Sequence, residues 1–203
     1  MLTAASFALL IVLPVDFPYP AFALILLLNG IASGLFASPN TAAIMNSVPA
    51  ERRGVASGMR AAFVNVGIPL SIGVFFSLMI VGLNSTVPQS LFNGLTQNGI
   101  SSSVAGELAG LPPVGYLFAA LLGYNPLGAL LGPTVLSSLP AAAAERLTSR
   151  SYFPQLISAP FHHGLVIVFT FSVVICLIAA WMSWLRGGKY VDTGGDSQHK
   201  TQA

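Results

Sequence analysis

Apolar residues gather in four long stretches, residues 1–13, 21–44, 55–83 and 164–185, and Arg60 is the only charge inside any of them. The last three each hold at least about 20 residues, enough to cross roughly 30 Å of hydrocarbon as helix. Lipid offers the backbone no hydrogen-bond partners, so a segment that spans it is helical. The pattern predicts an all-α membrane protein with about four transmembrane helices. Residues 1–13 are too few for a full span, and no Lys or Arg precedes them as in a signal peptide. They read as the remainder of a longer helix, a truncated member of the four.

Residues 84–163 then form a long outer loop. Within it, residues 114–139 carry no charge and resemble a fifth span by hydropathy. They also hold Gly115, Gly123, Gly128, Gly132, Pro126 and Pro133, with Pro112, Pro113 and Pro140 at the edges. Asn125-Pro126 is a turn signal, so this stretch predicts two short apolar helices, interfacial or re-entrant, that do not cross.

Composition agrees with a membrane assignment: 54% of the residues are hydrophobic and 7% charged, where a soluble domain carries about 25%. A net charge of +2, split between loops, excludes a nucleic-acid partner. Membrane lipid is the partner it implies, and residues 187–203 read as a disordered cytoplasmic tail. With four crossings, Arg52, Arg53, Arg60, Arg186, Lys189 and Lys200 share one side against Arg146 and Arg150. That asymmetry puts the turn at residues 47–54 and the C-terminus in the cytoplasm; the plasma membrane is the expected location. If 114–139 crosses, the split weakens to five against three.

Polar positions inside the spans are the candidate functional residues. Asn29, Ser33, Phe36 and Asn40 share one helical face. The asparagines there either bond to adjacent helices or line a substrate path. Gly30, Gly34 and Ser38 make a neighbouring small-residue stripe suited to close helix approach. Asn65 is a further path candidate, and Gly67 with Pro69 predicts a kink near mid-span. Arg60, about two turns into its span, either snorkels to the headgroups or serves in gating.

Other chemistry finds little footing. His162 and His163 are adjacent, so on a helix they diverge and make a poor metal pair. Cys176 has no cysteine partner. Asn84-Ser85-Thr86 is a sequon abutting a span. Clustered His, Asp or Glu at one depth is lacking, so neither an enzyme, a metal nor a cofactor is expected.

The window SPNTAAIMNSVPAERRGVASGMRAAFVNVGIPLSIGV resembles the major facilitator superfamily, in its fourteen-helix multidrug-exporter branch. The matching residues are Pro39, Asn40, Val48, Pro49, Arg53, Gly54, Ala56, Ser57 and Gly58. The resemblance implies a partial major facilitator bundle, the last third of a secondary active transporter. The complete protein would expel small molecules by alternating access, coupled to proton influx. Substrate binding would then need the missing helices or a companion polypeptide. The chain departs from the family pattern in two ways. Ser71-Ile72 stands where a Gly-Pro pair would fall, and no Asp or Glu lies in any span. A non-transporting membrane fragment or small partner subunit is the alternative reading.

Overall fold

The computed structural model describes residues 1–185, all-helical with no strand among them. The elements are α1 (Leu2–Val12), α2 (Tyr19–Asn46), a 3-10 turn at Ala50–Arg52 and α3 (Arg53–Gln97). They continue with α4 (Ser102–Ala109), α5 (Pro113–Leu121), α6 (Leu127–Ser137), α7 (Ala141–Thr148) and α8 (Tyr152–Leu185). Three segments are long and apolar enough to cross a membrane: α2, the turn with α3, and α8. This is compatible with an integral membrane protein. The tail at 187–203, and Arg186, Lys189 and Lys200 of the charge count, lie outside the described residues.

Proline sets several helix starts. Pro20 opens α2, Pro113 opens α5 and Pro140 precedes α7, where a missing N–H costs nothing. Asn125 opens α6 by accepting the Leu127 N–H at 3.0 Å on Oδ1. Gly99, at φ +88°, reverses the chain after α3, and the Ile100 N–H closes that end on the Leu95 carbonyl. Gly132, at φ +70°, breaks α6 just before Pro133, a conformation that favours glycine. Residues 113–137 thus hold α5 and a kinked α6, separated by residues 122–126, where Asn125-Pro126 signals the turn.

The arrangement is a row, with α1 packed between α2 and α8, and α8 packed on α3. Its two ends differ. At the turn end, residues 47–52 join α2 to α3. At the cap end, α4–α7 gather over the start of α8 and the finish of α3.

The spans expected at 55–83 and 164–185 are parts of longer helices, α3 and α8, which continue into the 84–163 segment. α3 holds 45 residues, about 67 Å at 1.5 Å per residue. It continues through Asn84-Ser85-Thr86 and Pro88, where hydropathy falls. Leu83, Val87, Leu91 and Leu95 recur every fourth residue and are almost fully buried, so packing sustains the helix. α8 starts at Tyr152 for the same reason, with Phe153 and Ile157 buried. These side chains join Leu108, Tyr116, Leu127 and Leu147 in one hydrophobic core at the cap end.

Candidate functional site

The expected polar face of α2 divides. Asn29 donates to Ser6 Oγ at 2.7 Å, and Ser6 donates in turn to the Thr3 carbonyl at 2.8 Å. Ser6 is fully buried, so this chain of bonds fastens α1 to α2 and satisfies a hydroxyl that would otherwise cost energy. Asn29 thus bonds to a neighbouring helix, one of the two roles open to it. One turn on, Ser33 and Phe36 face a cleft, and Asn40 is half-buried beyond them.

That cleft has a volume of about 570 Å³ and lies where α1 begins, between α2 and α8. Thr3, Ser33 and Ser183 bring hydroxyls to it and Cys176 a thiol; the rest of the wall is mainly Leu, Ala and Phe. A second cleft of about 310 Å³ lies between α3 and α8, with Phe7 of α1 at its edge. Gly67, Ser71, Phe75 and Ser172 line it, and Cys176 borders both clefts. Both volumes suit small molecules, and apolar walls with a few hydroxyls favour apolar or amphipathic ones.

Of the predicted kink residues, Gly67 lines the second cleft. Pro69 lacks an N–H for the Asn65 carbonyl, and α3 nevertheless runs on unbroken. Ser71 Oγ donates to the Ile68 carbonyl at 2.8 Å. The Asn65 side chain is exposed. From Arg53 to Val74, α3 is exposed throughout except for half-buried Ala56 and Arg60.

At the turn, Arg53 donates from Nε to the Met45 carbonyl at 3.2 Å. A cation there complements the C-terminus of α2 and ties it to the first residue of α3. Ser47 adds its backbone N–H and hydroxyl to the Ile44 carbonyl. Pro49 precedes the 3-10 turn with φ −56° and ψ 151°. Pro39 lies within α2, and Gly54 and Gly58 are exposed on α3.

The stripe Gly30, Gly34, Ser38 is not a helix contact here: a Cβ at Gly30 or Gly34 would meet nothing within 4 Å. Close approach occurs instead between α3 and α8. A Cβ on Gly82 would stand 2.6 Å from the Gly164 Cα, and one on Gly94 would collide with Leu156. Sequence spacing inside one helix cannot identify a pair split between two.

A second cluster, at the cap end, escaped the sequence reading. Tyr152 donates to the Gly94 carbonyl at 2.9 Å and accepts from Asn98 Nδ2 at 2.8 Å. The Arg146 guanidinium lies 5.9 Å from the Tyr152 ring centroid, within cation–π range. Asn125 Nδ2 holds the Leu147 and Ser149 carbonyls, each at 2.8 Å. His162 donates from Nε2 to the Leu13 carbonyl at 3.2 Å, tying α8 to the end of α1, and His163 is exposed. Among the described residues, no group of three or more His, Cys, Asp or Glu is placed to hold a metal.

No protein family, curated protein or solved structure matches the chain.

Proposed function

We propose that this chain is the C-terminal part of a secondary active membrane transporter of major facilitator type, working as a small-molecule exporter. The observation that carries the reading is the pair of clefts beside α1. Both are sized for small molecules and mostly apolar, and the second borders Gly67 of α3. An apolar helix carrying Gly and Pro, as α3 does at Gly67 and Pro69, is a sequence pointer to a binding site in transporters, although α3 stays continuous through them. The turn carrying Pro49, Arg53 and Gly54 supports the same reading by its sequence and by the Arg53 bond that couples α2 to α3.

In this account α2, α3 and α8 cross the plasma membrane with the turn end in the cytoplasm. Ser33 and Cys176 belong to one wall of the ligand path. Other helices, supplied by a longer polypeptide or a companion, provide the opposite wall against the exposed half of α3. Amphipathic organic cations are the substrate class, and proton influx is the driving force. Arg60, half-buried near the turn end, reaches the cytoplasmic headgroups.

The single cysteine supplies the test. In native membranes, a lipophilic cation is expected to slow alkylation of Cys176 by a membrane-permeant maleimide. An alkylation rate unchanged at saturating cation would remove the ligand path.

A second reading, a non-transporting partner subunit, draws on the cap. Its elements α3–α8 close around one hydrophobic core, which suits a subunit with a structural task of its own. Cation-independent alkylation of Cys176 favours that reading.

A further inference from the structure

α5 is apolar on every side, yet only one side is covered. Pro113, Tyr116 and Leu117 are buried in the cap core, whereas Phe118 (51%), Leu121 (75%) and Leu122 (80%) stand exposed. Positions 118, 121 and 122 share one helical face. A helix that is hydrophobic all round is ordinarily buried all round. No charged residue occurs between Glu107 and Glu145, which is unlike a surface that meets water.

Geometry supplies the missing cover. α4 packs along α3, starting beside the end of α3 and finishing near Asn84 and Pro88, where Gly106, Ala109 and Pro113 share a groove with them. It therefore runs back down α3, toward the apolar stretch that ends at Leu83. α5 then turns by 81° from α4, so it lies across the α3 axis. If α3 crosses the bilayer, α5 lies close to the bilayer plane, beside the point where α3 leaves it. Its buried face points away from the bilayer. Tyr116 packs tilted against Phe153, ring centroids 5.9 Å apart, and Phe153 lies eleven residues, about 16 Å, beyond Gly164 along α8. The face carrying Phe118, Leu121 and Leu122 is turned the opposite way.

We propose that α5 is an interfacial anchor: its Phe118, Leu121 and Leu122 face is seated among the acyl chains of the leaflet at the cap end. Tyr124, exposed just past the helix, sits at headgroup level, as aromatic residues with a polar tip do. The anchor fixes the tilt of the cap on the bundle, since α5 packs on both α3 and Phe153. It presupposes the membrane reading above, and its test separates the two.

The experiment uses the full chain in phosphatidylcholine–phosphatidylglycerol vesicles, with Cys176→Ser as background and one nitroxide label at a time. Leu122→Cys and Leu121→Cys report on the anchor, Ile178→Cys on the exposed flank of α8, and Ser103→Cys on the exposed start of α4. Collision rates with oxygen and with a water-soluble nickel chelate are compared. Labels at 121 and 122 are expected to match 178, with an oxygen-to-nickel ratio severalfold above that at 103. A ratio at 121 and 122 equal to that at 103, with 178 still lipid-like, overturns the anchor and leaves the span intact. Low collision with both reagents and dipolar broadening between labels gives the face to a second copy and also overturns it. A water-like ratio at 178 overturns the membrane reading itself.

Discussion

A single methyl group separates glycine from alanine, and at Gly82 that methyl would lie 2.6 Å from the Cα of Gly164. Backbone cannot step aside as a side chain can, so Gly82→Ala is expected to destabilise the chain by about 1–3 kcal/mol, as overpacking does. Gly164→Ala meets mainly the Met79 sulfur, a flexible neighbour, and should cost less. Gly30→Ala faces open space and should be neutral or slightly stabilising, since alanine favours helix over glycine. Thermal unfolding in detergent, followed by circular dichroism, ranks the three; equal effects would contradict the packing described. Tyr152→Phe removes the hydroxyl shared by Gly94 and Asn98, with an expected loss of about 0.5–1.5 kcal/mol, since the Gly94 carbonyl keeps its bond from Asn98 Nδ2 at 2.8 Å. At this scale the sequence was legible where a residue acts on its own helix. Pro113, Pro140 and Asn125 announce their helix starts. It was silent where a residue acts across helices. Nothing near Gly82 names Gly164, and nothing near Asn29 chooses between Ser6 and a ligand.

Two helices outrun the hydropathy that defines them. α3 and α8 continue past Leu83 and before Gly164 because each carries an apolar stripe the other covers. Hydropathy averages over all faces, so Asn84, Thr86, Gln89 and Asn93 mask the fourfold spacing of Leu83, Val87, Leu91 and Leu95. That spacing is visible in the sequence once sought, and it was the missed signal. The cap then depends on these stripes. Leu91→Ala should cost about 2–5 kcal/mol and Phe153→Ala about 3–5 kcal/mol. The loss should appear as faster amide exchange across residues 98–151, with residues 21–44 unaffected. Uniform exchange throughout the chain would mean that cap and bundle unfold as one unit. The turn at 47–54 was read more fully, because its chemistry is local: Arg53 reaches only eight residues back, to Met45.

For the whole molecule, the row α2–α1–α8–α3 leaves the turn-end half of α3 exposed while the cap end is packed. The difference explains why fold class was easier to read than function. An all-helical architecture follows from long apolar stretches, whereas a transport path is a property of surfaces facing one another. Residues 53–74 of α3 stay largely exposed among the described residues, so no surface facing them can be read from this chain. The central claim is that this chain contributes to export of amphipathic cations. It is tested most directly by cellular accumulation of a lipophilic cation such as tetraphenylphosphonium, measured with and without the chain. Deletion in the native cell should raise accumulation, and restoring the chain should lower it again only while a proton gradient is present. In a foreign host the chain alone should leave accumulation unchanged, because one wall does not enclose a path. Unaltered accumulation on deletion, or efflux by the isolated chain, would contradict the account.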